Sequence, residues 1–100
     1  MQADPRRYRL SPLAEDDLEN IWAYGFRTWS RDQADRYHTD IIAAIEGLAR
    51  GECIGRDASD IRPGYFKYAV AMLFLFYRLT AEHVDVVRVL HKRMDVPAHL

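Results

Sequence analysis

The sequence predicts an α+β domain: an N-terminal strand, a helical hairpin, then a three-strand antiparallel meander, in the order β-α-α-β-β-β. Three observations carry this. Apolar residues recur at three- and four-residue steps from Ala14 to Leu48, the period of helices with one buried stripe. A stretch holding three glycines and a proline, Gly51 to Gly64, then breaks the pattern and reads as a loop. From Tyr65 onward the chain is dense in aromatic and branched aliphatic residues with short connections, which favours consecutive antiparallel strands backed on one face by the helices. The 100 residues form one domain, residues 1–100. A chain of this size buries roughly two-thirds of the surface its unfolded form exposes, enough for one thin core.

Tyr8-Arg9-Leu10 is a short extended stretch closed by Ser11-Pro12. Ser11 suits an N-cap, and Pro12 suits the first helical position, where its missing N–H leaves no bond unmade. Glu15, Asp16, Asp17 and Glu19 follow without a basic residue among them and complement the positive end of the helix dipole. No histidine stands at ligand spacing near them, so they read as a helix start and not as a metal or carboxylate site. The first stripe is Ala14, Leu18, Ile21, Trp22, Gly25 and Trp29, with both tryptophans expected as core anchors. Ser30-Arg31-Asp32-Gln33 looks like a capping box, so a second helix begins almost where the first ends. Its stripe is Ala34, Tyr37, Ile41, Ile45 and Leu48, and Gly51 is placed to stop it.

Tyr65 to Leu79 is too long for one strand of about 5–6 residues, so it splits in two, turning between Ala69 and Met72. Thr80 to His83 is the next turn, with His83 capping or decorating it, and Val84 to His91 is the last strand. Simple alternation places Val84, Val86, Arg88 and Leu90 on one face, and Asp85, Val87, Val89 and His91 on the other. Valines on both faces suggest a central strand. Arg88 within such a sheet needs a carboxylate partner, for which Asp85 or an acid of the first helix is a candidate.

Composition excludes several classes. Hydrophobic residues make up 49% and charged residues 29%, which is globular. Fourteen Lys and Arg against fifteen Asp and Glu leave a net charge of -1, so any nucleic-acid contact must come from a local patch. One cysteine, Cys53, permits neither an internal disulfide framework nor a cysteine-built metal site. The apolar run from Tyr68 to Tyr77 is half of the ~20 residues that cross a bilayer, and the first residues lack a signal-peptide core. A cytoplasmic protein without a cofactor is the expectation.

The last strand runs into His91, Lys92 and Arg93. Metal-free RNA cleavage needs a proton-transfer group and cations to hold phosphate; His91 could be the former, and Arg78, Lys67, Arg62 and Arg93 the latter. The residue types are present, but their spacing is uninformative. The same cluster could grip another macromolecule, or be a solvated strand end.

"YRLSPLAEDDLENIW", "FYRL" and "VVRVLHKRMD" resemble the ParE branch of the RelE/ParE toxin superfamily, from about Tyr8 to Leu100. The most specific parts are Ser-Pro-x-Ala-x-x-Asp-Leu at the start and Arg-Val-Leu-His-x-x-Met-Asp at the end. The resemblance implies a RelE/ParE-like fold and the toxin of a type II toxin–antitoxin system. It implies DNA gyrase as target, no catalysis, and neutralisation by a ParD-like antitoxin whose helix and strand wrap the toxin as a hetero-oligomer. Under it, His91, Lys92, Arg93, Met94 and Asp95 become the target-binding segment, and Tyr65, Phe66 and Tyr68 candidate antitoxin contacts. RelE-like relatives instead cut messenger RNA on the ribosome. This chain lacks their dense basic C-terminus and terminal catalytic tyrosine, which places RNase activity second. A toxin-derived interaction module without toxicity is the third alternative.

Overall fold

The computed structural model describes residues 6–92. The elements are β1 (Arg7–Leu10), α1 (Pro12–Thr28), α2 (Arg31–Arg50), β2 (Arg56–Asp57), β3 (Phe66–Val70), β4 (Leu73–Leu79) and β5 (His83–His91). One five-stranded sheet in the order β1-β5-β4-β3-β2 carries both helices on one face. The α+β class and the helical hairpin are as the sequence predicts. Two strand details differ. β1 pairs in parallel with β5, and the loop after Gly51 contains the two-residue β2, which pairs with Phe66 and Lys67 of β3. A strand so short has no period to read.

The helix ends follow from local chemistry. Ser11 Oγ accepts from Ala14 N at 3.0 Å, and Pro12 occupies the first turn. Ser30 Oγ accepts from Gln33 N at 3.1 Å, the serine half of the expected capping box. Gly51 ends α2 at φ 78°, a left-handed conformation that costs a residue without Cβ little. The turn between β3 and β4 falls at Ala71–Met72, inside the predicted interval, with Ala71 at φ 52°.

The core lies between hairpin and sheet. Ala14 and Leu18 of α1 and Ile41, Ile45 and Leu48 of α2 meet Leu73, Leu75 and Tyr77 of β4 and Val84, Val86 and Val89 of β5. Burying each of the larger aliphatic side chains contributes about 1.5–3 kcal/mol before the cost of ordering it. Val89 corrects the expected alternation. Tyr77 pairs with Val86 but Phe76 pairs with Arg88, so Val87 is an extra residue in a bulge. Beyond it the faces exchange, and Val89 joins Val84 and Val86 against the helices.

Trp29 is a second correction. It caps the C-terminus of α1 and is 58% exposed, packing edge-on against Tyr24 with ring centroids 5.9 Å apart. The stripe stops one turn earlier, at the buried Gly25. Trp22 is half-buried, stacks on Phe26 at 5.3 Å and donates its indole N–H to Asp35 at 2.9 Å. It ties α1 to α2 at their margin and is not enclosed by them. Among the described residues no helix is long and apolar enough to cross a membrane.

Candidate target-docking site at the end of the last strand

The end of β5 is held by a device whose parts are far apart in sequence. β1 stops at Leu10, so the edge of β5 beyond Val86 loses its strand partner. Ser11 takes over, donating its N–H to Val86 O at 3.0 Å and its hydroxyl to Val87 O at 2.7 Å. Nearly two turns further, α1 brings Asp17 alongside. Its carboxylate accepts from Arg88 Nε and Nη2, both at 2.8 Å, and from the Val89 N–H at 2.9 Å. Both side chains are largely buried, at 14% and 12% exposure. The hydrogen bond to Asp17, opposed by burial, raises the Arg88 guanidinium pKa further, so the group stays charged. The sequence supplied the right class of partner for Arg88, an acid of the first helix, and Asp85 belongs elsewhere.

Asp85 instead binds Arg9 through Nε at 2.7 Å and Nη2 at 2.9 Å. That hydrogen bonding, with help from the charges of Arg9, His83 and Arg78 against a desolvation penalty, holds its carboxyl below the usual range. A carboxyl with a lowered folded-state pKa stabilises the fold fully above its unfolded value, near ~3.9, and loses that contribution as pH falls through the folded value. Urea titrations at neutral and acid pH should therefore show a shallower acid loss in Asp85→Asn than in the parent. The difference at neutral pH is small, because Arg9 is 56% exposed.

With β5 anchored, its last residues diverge. His91 pairs with Leu73 on the helix side of the sheet. There it lines a groove of about 540 Å³ with Tyr24, Trp29, Tyr37, Met72 and Val89. Lys92 falls on the opposite side, its ammonium 5.3 Å from the Phe74 ring centroid, with Lys67 at 5.2 Å from the same ring. Arg93, Met94 and Asp95 lie outside the described residues. Among the described residues, the members of the grouping considered for phosphate cleavage do not converge on His91. Lys67 and Arg78 occupy the sheet face away from the helices, across the sheet from His91, and Arg62 sits in the loop over Tyr65 at 6.0 Å.

Tyr65 is buried, while Phe66 and Tyr68 are half-buried and pack against the core from β3. Phe66 stacks on Tyr77 with centroids 5.6 Å apart. Tyr68 lies beside Cys53, whose hydrogen bonding raises the phenol pKa. β2 pairs only with Phe66 and Lys67, so among the described residues the β3 edge from Tyr68 to Val70 has no strand partner. That edge leads into Ala71 and Met72 at the lip of the groove. Tyr24, Trp29 and Met72, exposed by 57%, 58% and 47%, were missed as a set by sequence reasoning. Helical period pointed to the buried stripe, and nothing local places Met72 opposite α1.

The family model described as the ParE toxin of the type II toxin–antitoxin system parDE matches residues 8–96. The chain belongs to the ParE toxin family. Toxin ParE1 of Mycobacterium tuberculosis (strain ATCC 25618 / H37Rv) is 47% identical over 95 residues, covering 94% of this chain and 97% of that protein. Toxin ParE1 of Caulobacter vibrioides is 38% identical over 93 residues, covering 93% and 96%. Among solved structures, the chromosomal ParDE system from P. aeruginosa superposes with a TM-score of 0.75 at 16% identity, covering 86% of this chain and 95% of that one. The toxin–antitoxin complex RelBE2 from M. tuberculosis gives 0.67 at 21% identity, covering 88% and 99%. The two structures establish the shared fold; the ParE assignment rests on the sequence matches. The matched span takes in both the Ser11–Leu18 motif and the Arg88–Asp95 motif.

Proposed function

We propose that this ParE-family chain acts in the cytoplasm as the toxic component of its module, inhibiting DNA gyrase and so blocking replication. Its cognate antitoxin neutralises it by direct binding. The family match across residues 8–96, reaching through the segment after β5, carries the reading. His91, Lys92, Arg93, Met94 and Asp95 are the proposed contacts to the target. Lys92 and Arg93 can pair with acidic groups on a protein surface, and Met94 can adapt to an irregular apolar pocket. The Asp17–Arg88 clamp supports this role by fixing the strand from which the segment departs.

The proposed antitoxin contact has two parts. An amphipathic helix lays its apolar side into the groove between Tyr24, Trp29 and Met72, and an extended segment pairs with the β3 edge from Tyr68 to Val70, reaching toward Phe66 and Tyr65. Exposed aromatics on the groove wall and an uncovered strand edge are the liabilities such a partner would cover. The test is a supercoiling assay with purified gyrase. The full chain inhibits supercoiling and accumulates cleaved DNA, and a preformed antitoxin complex does neither. Undiminished supercoiling at a large molar excess of the chain would reject gyrase as target.

A further inference from the structure

β3 and β4 are joined by two residues, Ala71 and Met72, between the paired Val70 and Leu73. Two-residue hairpin turns that suit the right-handed twist of a sheet need a positive φ at their first position, where glycine, asparagine or aspartate normally stands. Ala71 stands there at φ 52°, the only non-glycine residue with a positive φ among the described residues. In that conformation the Cβ of an L-residue crowds the backbone, which disfavours it by roughly 5–30-fold. Glycine would remove the penalty. The turn is therefore held against its own preference, and outliers of this kind collect at ligand clamps and switching segments.

What the turn holds is Met72. Its side chain, 47% exposed, forms one lip of the groove across from Tyr24 and Trp29 of α1. Its carbonyl accepts the Lys92 N–H at 2.9 Å, just beyond the last ladder pair of Leu73 with His91. Lys92 belongs to the segment proposed to dock on the target, and Arg93, Met94 and Asp95 follow it in sequence. One residue thus joins the wall of the groove to the root of the docking segment. With Ala71 at negative φ the turn would be of the kind that splays its strands. Met72 would then draw away from β5, and the Lys92 bond would open.

We propose that Ala71 is a positioning residue: its left-handed backbone sets Met72 to hold Lys92, and an antitoxin helix filling the groove displaces Met72, relaxes the turn and releases Lys92. The inference rests on the antitoxin reading of the groove and adds to it a link to the docking segment. Because the turn is strained, its alternative conformation lies close, and a modest difference in affinity between the two exchanges them.

Amide hydrogen exchange of the full chain, followed by NMR, tests both halves. In the free chain at low urea Lys92 exchanges by local opening; Ala71→Gly slows it by roughly 5–30-fold, Ala71→Asn slows it less, and Ala71→Val accelerates it. In the complex with the cognate antitoxin, the buried Ile45 of α2 exchanges more slowly, as binding of any partner to the fold requires. Lys92 does the opposite and exchanges faster than in the free chain. Ala71→Gly also weakens antitoxin binding by roughly 5–30-fold while raising the melting temperature, a pairing that a purely structural role would not produce. Lys92 exchange unchanged in the Ala71 variants overturns the positioning role, and slower Lys92 exchange in the complex overturns the release. Failure of the antitoxin reading itself looks different: Trp29→Ala then leaves antitoxin binding unchanged, and the free-chain exchange still decides the part that Ala71 plays.

Discussion

Replacing Asp17 with alanine should lower the unfolding free energy by about 3 kcal/mol, the low end for removing one partner from a buried ion pair. Three bonds are lost together: both guanidinium contacts from Arg88 and the Val89 N–H. The cost is not the strength of the ion pair as such. It comes from leaving a guanidinium and a strand N–H without that carboxylate, in a place where water reaches them poorly. For a domain of this length the melting temperature falls by roughly 12–24 °C. The exposed Arg9–Asp85 pair gives the comparison, since solvent screens such a bridge and breaking it costs far less. Replacing both Asp17 and Arg88 with leucine should recover much of the loss, because no charge is then left buried. Equal destabilisation by Asp17→Ala and Asp85→Asn would show that burial does not distinguish the two bridges.

Gly55→Ala should cost about 2–3 kcal/mol, in the range for forcing an extra methyl group into a packed site. A Cβ built at Gly55 would run into the Tyr77 hydroxyl and come within 2.7 Å of the Lys67 carbonyl oxygen. The backbone carbonyl cannot swing aside without disturbing β3. The Tyr77 hydroxyl also accepts the Gly55 N–H at 2.8 Å, and burial keeps it protonated by raising its pKa. Tyr77→Phe alone leaves that N–H without its acceptor, at about 1–1.5 kcal/mol. The double variant should lose less than the two singles added together, because removing the hydroxyl makes room for the methyl group. Strict additivity in urea unfolding would contradict the assigned contact.

Helix limits were legible because each was written by a residue with a local reason: Ser11 and Pro12, Ser30, and Gly51. The core stripe of α2 was legible for the same reason of period. Val87 was not. Its bulge is set by the pairing of β4 with β5, and no feature of the strand itself marks an extra residue. Trp29 misled because it continues the apolar spacing of α1 past the point where the helix leaves the core. The last strand was legible as a strand, yet the separation of its final residues onto two faces, His91 into the groove and Lys92 onto the opposite side, depends on that same bulge. Asp17 was readable only as one acid among four, since which of them reaches β5 is decided by where β1 ends.

In the proposed mode of action the charged segment after β5 docks on another macromolecule. Supercoiling by purified gyrase, measured with the full chain and with a variant ending at Lys92, tests it most directly. The shortened chain retains the Asp17–Arg88 clamp, so its circular dichroism and melting serve as the control for folding. The full chain should inhibit, and the folded, shortened one should not. Equal inhibition by both would contradict it.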